Sequence, residues 1–526
     1  MHSSFFSRLI ACLLLCATVQ AHALTAEQAL AMAAGDTDDR VAPVQQAVVD
    51  PSERTAAFLQ ALADDAVKVA GGKPLIVRDD KGIDPVTGAE VPLPADAEDI
   101  INNNRMRGEI DTALAGLALF GKDEAQRMAA AKALTKEPDA GRLPLLDKAL
   151  AQETSDRIKA QLQLARAATL LGSDDASQRI AAAQALSASA TPDTRLLLNE
   201  RVAVEEDAKV KAALQAALRT LDDQLAWGER LGAAFSGISL GSILLLVALG
   251  LAITYGLMGV INMAHGELMM IGAYATYVVQ GVFQKFFPGA FDWYLVAAVP
   301  LAFLTSALVG AVLERGVLRF LYGRPLETLL ATWGISLVLM QLVRSLFGAQ
   351  NVGVENPAWM SGGVQVLSNL TLPYNRLVII GFAIAVLLGM GYLIGRTRLG
   401  LFVRGVTQNR PIASCMGVNT ARIDTMAFAL GSGIAGLAGC ALSQVGNVGP
   451  DLGQSYIVDA FMVVVLGGVG QLAGTVYAAL GLGILNKFLE GWAGAVLAKI
   501  AVLVFIIIFI QKRPQGIFAV KGRTAD

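Results

Sequence analysis

The stretch GLMGVINMAHGELMMIGAY, residues 256–274, places Asn262, His265 and Glu267 within six residues, inside the most apolar half of a 526-residue chain. On an unbroken helix at ~100° per residue, His265 and Glu267 point to nearly opposite faces. Gly259 and Gly266 both weaken the helix, and the first span is expected to hand over to the second between Asn262 and Glu267; His265 and Glu267 can serve one cavity only if the chain breaks at Gly266. Non-helical backbone at membrane depth is tolerated where it is buried in protein or lines a water-filled path. An ionisable side chain at that depth is a functional candidate by default. Glu267 therefore leads the candidates for a substrate pathway, with Asn262 and His265 beside it. The plain alternative is that these groups merely satisfy one another and the freed backbone.

Working outward, apolar runs long enough to span begin near Phe235, Gly266, Tyr294, Leu326, Arg376, Arg422, Tyr456, Gln471 and Ala495. A second glycine-rich break, LGGVGQLAG at 466–474, adds Gln471 to the candidates. Two broken segments in corresponding halves point to a path between them. ATWGISLVLMQ at 331–341 contributes Thr332, Ser336, Trp333 and Gln341 on an otherwise apolar helix. Asp459 follows Ser455 by one turn and is placed near an outer mouth. Trp333 doubles as an interfacial anchor.

Charge fixes the expected orientation. Residues 231–526 carry 10 acids and 17 bases; residues 24–230 carry 34 acids and 24 bases. Nine crossings with an outside N-terminus put 12 Lys and Arg in inner segments (Arg315, Arg319, Arg324; Arg396, Arg398, Arg404, Arg410, Arg422; Lys512, Arg513, Lys521, Arg523). At most five lie outside: Lys285, Arg344, Arg376, Lys487 and Lys499. Such an imbalance sets topology, with positive loops inside.

The first residues read as a secretory leader: Arg8, the apolar core LIACLLLCATV, and small residues at Ala21 and Ala23. Its core is too short to span ~30 Å of hydrocarbon. Cleavage is expected after Ala23, in preference to a lipobox reading of LIAC. Cys12 and Cys16 leave with it, so the exported part holds no disulfide framework. Within that part DEAQRMAAAKAL (from Asp123) and DASQRIAAAQAL (from Asp175) align at an offset of 52 residues, as do IKAQLQLA (from Ile158) and VKAALQAA (from Val210). Ala and Leu at helical spacing behind Asp or Pro predict stacked helix pairs of the HEAT or armadillo kind. KPLIVRDDKGIDPVTGAEVPLP predicts a small hairpin ahead of them. The acidic runs DTDD and VEED are expected to be solvated surface. The fold class is thus all-α: a polytopic membrane bundle of about eight or nine spans (231–526), preceded by a leader (1–23) and an exported helical-repeat domain (24–230).

Several chemistries are excluded. The sequence has no H-E-x-x-H, no G-x-S-x-G and one histidine beyond the leader, which argues against an intramembrane hydrolase. It has no G-x-x-x-x-G-K-[ST] loop, so no Walker-type ATP site. No metal-ligand cluster and no nucleic-acid partner are expected. The inner segment from Arg396 to Asp424, polar and basic with interspersed Leu401, Val406 and Ile412, is a surface helix that meets lipid phosphates or a cytoplasmic partner.

GLMGVINMAHGELMMIGAY, RTRLGLFVRGVTQNR, VVVLGGVGQLAGTVYAALG and the closing RPQGIF together resemble the branched-chain amino-acid permeases of ATP-binding-cassette importers. Within that group, LLATWGISLVLMQLVRSLFGAQNVGVENPAWMSGG and the long exported extension look like the urea-transport permeases. The resemblance implies a bacterial inner-membrane permease with a periplasmic N-terminal domain and a cytoplasmic C-terminus. It also implies a second permease subunit, two cytoplasmic ATPase subunits that hydrolyse ATP, and a periplasmic binding protein, with no cofactor in this chain. The segment 398–417 then corresponds to the coupling helix, through Arg398, Gly400, Arg404, Gln408, Asn409 and Gly417. Gly405 and Pro411 depart from the family pattern. Glycine costs ~1 kcal/mol and proline ~3 kcal/mol in a helix interior, so the coupling helix is expected to be short or to restart at Pro411.

Overall fold

A computed structural model describes residues 24–48, 52–78, 81–94 and 97–518; the leader and the inner charges Lys521 and Arg523 lie outside the described residues. The chain divides into two compact units, 1–225 and 226–526.

The first unit opens with helices α1 (Ala26–Ala33), α2 (Thr37–Ala47) and α3 (Glu53–Ala63). Five short antiparallel strands follow: β1 (Val67–Ala70), β2 (Lys73–Arg78), β3 (Lys81–Ile83), β4 (Glu90–Val91) and β5 (Glu98–Asp99), in the order β4-β3-β2-β1-β5. Ile76 sits opposite both Val67 and Ile83, so the expected hairpin is the middle of a wider sheet. The outermost strands, β4 and β5, are two residues each and exposed, too short for apolar alternation to announce them.

Helices α4 (Asn104–Ala118), α5 (Glu124–Lys136), α6 (Leu143–Gln152), α7 (Asp156–Leu170), α8 (Ala176–Ser187) and α9 (Pro192–Val204) lead into the long α10 (Ala208–Met258). The 52-residue offset is physical. Asp123 and Asp175 cap α5 and α8 by accepting from the backbone N–H groups of Ala125 and Ser177. Ala130, Ala131 and Leu134 are buried in one copy, Ala182, Ala183 and Leu186 in the other. Arg127 Nε lies 2.9 Å from Glu153, and Arg179 Nε lies 3.1 Å from Glu205, each carboxylate only 4 % exposed. Both arginines also donate to the loop before their own helix, at Gly121 and Lys122 or at Ser173 and Asp174. The Arg127 hydrogen bonds pull the Glu153 carboxyl from the usual 4.5 to about 2, against the opposing effect of its burial. Glu205 belongs to VEED, so that run is not simply solvated: one of its acids is a buried joint of the repeat.

The second unit contains α11 (His265–Phe286), α12 (Tyr294–Gly316), α13 (Pro325–Phe347), the hairpin β6 (Gly363–Leu367)–β7 (Leu370–Pro373) and α14 (Tyr374–Arg396). Then come α15 (Arg398–Gln408), α16 (Arg410–Cys415), α17 (Thr420–Ser443), α18 (Leu452–Gly467), α19 (Leu472–Ala493) and α20 (Ala495–Lys512). All nine apolar runs are helical. Seven of these helices (α10, α12, α13, α14, α17, α19 and α20) are long and apolar enough to cross a membrane. The other two differ for separate reasons: α11 carries His265, Glu267 and Lys285, and α18, at 16 residues, is only about 24 Å long.

Burial separates an inner layer from a rim. The apolar windows of α10 and α17 are 89 % and 83 % buried, against 17–33 % for the other five spans. Helix α17 holds the centre because its small residues admit backbone: a Cβ on Gly431 would strike α10 at Gly250, one on Gly436 would strike α12 at Ala302, and one on Gly439 would strike α11 at Met269. The rim helices turn Leu304, Leu308, Leu342, Leu388 and Ile508 outward, as a lipid-facing surface does. At one end, the loop after α13 pairs Val352 with Val448, and Tyr294 Oη donates to the Glu355 carbonyl at 2.7 Å.

Candidate substrate pathway at the helix break

Helix α10 stops at Met258, and Gly259 takes a left-handed φ of +65° that a side chain would resist. Residues 259–264 are not helical, and α11 starts at His265. The break therefore precedes His265 and does not fall at Gly266. Gly266 does different work: a Cβ there would strike the Gly453 backbone at the start of α18, and the reverse holds for Gly453. The N-termini of α11 and α18 thus meet backbone to backbone.

Within the break, Asn262 Oδ1 accepts from the Ala264 N–H at 3.0 Å, and Thr332 Oγ1 of α13 accepts from the Met263 N–H at 3.2 Å. His265 Nε2 lies 3.1 Å from the Val247 carbonyl of α10. A carbonyl only accepts, so Nε2 carries the proton. Ser336 Oγ donates to Glu267 Oε1 at 2.9 Å. His265 and Glu267 do face different neighbours, as the helical angle requires. Asn262, His265, Glu267, Thr332 and Ser336 are all at most 3 % exposed.

Each main residue keeps an unused atom. Asn262 Nδ2, His265 Nδ1 and Glu267 Oε2 have no hydrogen-bond partner among the described residues, and neither does Tyr274 Oη. Tyr274 follows Glu267 by seven residues, so the two share a face of α11 about 10 Å apart along its axis. The facing stripe of α13 is Thr332, Ser336, Met340 and Val343, all buried. Asp451 stands at the N-cap of α18, two residues before Gly453, whose backbone meets Gly266. A buried polar group left unpaired costs about 1–3 kcal/mol. Glu267 Oε2 and Tyr274 Oη lie on one face of α11 and Asn262 Nδ2 in the break before it, and among the described residues their hydrogen bonds are not completed; His265 turns instead to α10.

Three expected residues are not brought to this cluster. Trp333 is 53 % exposed, on the side of α13 away from Thr332 and Ser336. Asp459 forms an ion pair with Lys499 of α20 at 3.4 Å, joining two helices. Gln471 sits in the second break, where Gly468 and Gly470 both take positive φ. That break does approach the first: a Cβ on Gly256 would lie 2.9 Å from the Gly470 Cα. The closing RPQGIF folds against it, with the Ile517 N–H donating to the Leu466 carbonyl at 2.8 Å. Tyr274, Asp451 and Gly453 escaped sequence reading. Only Tyr274 left a signal, its seven-residue spacing from Glu267.

The segment 398–417 divides into scaffold and surface. Asn409 ends α15 and caps α16, its Oδ1 accepting from the Ile412 N–H at 3.0 Å; Pro411 stands in the first turn, so the helix restarts there. Gly400 packs against the Ile394 backbone, and Gly417 takes φ +84° where the chain leaves α16. Arg398, Arg404 and Gln408 are exposed, beside apolar Leu401, Ile412 and Met416, which are 59 %, 59 % and 79 % exposed. Behind this surface lies a charge lattice. Arg410 bonds buried Asp424 of α17 and stacks 5.4 Å over the Tyr322 ring. Tyr322 Oη donates to Glu314 at 2.8 Å, Thr425 Oγ1 to the same carboxylate at 2.6 Å, and Arg319 pairs with it at 3.2 Å.

Comparison with known proteins decides the family. Residues 233–511, just over half of the chain, match the model of the branched-chain amino acid transport system permease component. The chain belongs to this permease family. The permease is 27 % identical over 292 residues to the high-affinity branched-chain amino acid transport system permease protein LivH of Salmonella typhimurium, covering 54 % of this chain and 93 % of the relative. BraD of Pseudomonas aeruginosa, a permease protein of the same kind of system, is 26 % identical over 286 residues, with 54 % and 93 % covered. The ribose import permease protein RbsC of Escherichia coli is 27 % identical over 209 residues, with 37 % and 60 % covered. No solved structure matches the permease. These relatives are transport permeases, not enzymes, and the family match begins beyond the first compact unit.

Proposed function

We propose that this permease is one of two membrane subunits of an importer for urea. The observation that carries the reading is the set of buried, unpartnered polar atoms at the break: Glu267 Oε2 accepts, while Asn262 Nδ2 and Tyr274 Oη donate. Urea is neutral and planar, with four N–H donors and one acceptor oxygen. An amino acid needs a fixed positive partner for its carboxylate, and no Lys or Arg is among the buried described residues of the second unit. The N-terminal ends of α11 and α18 could attract an anion. The acidic side chains Glu267 and Asp451 already occupy those two ends, which favours a neutral solute over an anion.

The importer reading extends to the assembly. A second permease subunit pairs with this chain, two cytoplasmic ATPase subunits hydrolyse ATP, and a periplasmic binding protein delivers the solute at the bacterial inner membrane. The first unit is periplasmic and the C-terminus cytoplasmic, as the excess of Lys and Arg in the inner segments supports. The exposed surface of α15 and α16 docks the ATPases. Arg410–Asp424 carries their movement to α17, the helix packed against α10, α11 and α12.

A second reading has its own support: LivH and BraD are named for branched-chain amino acids. Uptake of labelled urea and labelled leucine, in cells lacking this chain and in cells with it restored, separates the two. Restored urea uptake alone supports the proposal. Restored leucine uptake with urea unchanged replaces it.

A further inference from the structure

The first unit holds a cavity of about 330 Å³ between α2, α4, the turn Ala140–Arg142 and α6. At about 30 Å³ per water-sized atom this is room for roughly ten non-hydrogen atoms, at the small end of ligand sites. Its lining carries two acids, Glu109 and Asp139, and two bases, Arg142 and Lys148. The lining also includes apolar Val48, Ala113 and Leu145.

The geometry of the charges selects the ligand. Arg142 is anchored from behind, with Nη1 donating to the Glu137 carbonyl at 2.9 Å and Nε 3.4 Å from Asp139. Its Nη2 faces Glu109 across 3.7 Å, too far for a hydrogen bond. Glu109 is held from its own side by Gln45, whose Nε2 donates to Oε2 at 3.1 Å. Arg142 and Glu109 are 16 % and 24 % exposed, so both are largely withdrawn from water while incompletely bonded to each other. An anion entering here would meet Glu109 and Asp139. A cation would meet Arg142 and Lys148. An uncharged apolar molecule would strip water from all four without replacing it. A molecule with an ammonium and a carboxylate on one carbon, and a short aliphatic tail, satisfies every wall at once.

We propose that the first unit binds a small zwitterion, an α-amino acid with an aliphatic side chain, with its carboxylate on Arg142 and its ammonium on Glu109. This site is separate from the helix break and does not depend on what the permease transports.

The test uses the full chain in lipid nanodiscs and equilibrium binding of labelled leucine. Isoamylamine and 4-methylpentanoate, which each lack one charge, serve as competitors. Leucine should compete roughly ten-fold or more better than either. Glu109→Gln, Arg142→Gln and the exposed Lys148→Glu should each weaken leucine binding, while Glu267→Gln leaves it unchanged. Leucine that fails to bind, or binds no better than the single-charge analogues, overturns the proposal. So does binding that Glu267→Gln abolishes and the cavity variants leave intact. The analogue series needs no variant to fold, so it decides the matter even if Arg142→Gln does not express.

Discussion

The two compact units solve helix packing by opposite means. In the first, a repeated arginine–glutamate bond ties each helix pair, and Ala and Leu at helical spacing fill the interior. In the second, glycines bring backbones into contact at the centre, and large apolar side chains face outward. Water explains the difference. Where it surrounds a unit, apolar side chains gain by turning inward. In lipid that gain vanishes, and close contact between small residues takes its place. A charge in the first unit is therefore a joint, whereas an unpaired polar atom deep in the second is a candidate for function.

Substitutions that exchange these rules should show it. The largest effect belongs to Gly439→Leu, because a Cβ there would overlap the Met269 carbonyl. Backbone has no rotamer to yield, so destabilisation should exceed about 3 kcal/mol. Assembly should be lost, measured as the monodisperse fraction after detergent extraction; a well-folded variant would break the backbone-contact account of α17.

Next is Asp424→Asn, which removes the charge that Arg410 bonds. Coupling changes of ~0.5–2 kcal/mol correspond to a roughly two- to thirty-fold fall in uptake. ATP hydrolysis by the assembled importer should persist. Equal loss of hydrolysis and uptake would make the lattice a folding element rather than a coupling one.

The smallest effect is in the first unit. Glu153→Gln should lower its melting temperature by about 2–6 °C near neutral pH. The Glu153 carboxyl titrates near 2 when folded, against 4.5 ordinarily. Its contribution is therefore complete above pH 4.5 and disappears as pH falls from 4.5 towards 2. Melting curves of wild type and variant should converge over that window. A gap that persists at pH 2 would assign the effect to packing.

Sequence reading found the nine apolar helices and the 52-residue repeat because both rest on local periodicity. The handover between the first two spans is legible at Gly259 and Gly266, but which of the two breaks the chain is not, since glycine carries two meanings. Gly259 turns the chain, whereas Gly266 lets α18 approach, and composition does not separate these uses. Glu205 was read as solvated surface because its partner Arg179 lies 26 residues away. Trp333 and Asp459 looked like pathway residues because a polar side chain in an apolar helix has no direction until its neighbours are placed. Ser336, one turn beyond Thr332, acquires its role only through Glu267. The segment 398–417 is more legible: Pro411 announces the restart that Asn409 caps.

The most direct test of the pathway is urea uptake by cells carrying Glu267→Gln, matched for the amount of chain in the membrane, with Trp333→Phe as control. The account predicts that Glu267→Gln reduces uptake roughly ten-fold or more, since an amide NH2 would replace the accepting Oε2, and that Trp333→Phe leaves it near wild type. Wild-type uptake by Glu267→Gln would contradict it and leave the break a purely structural joint.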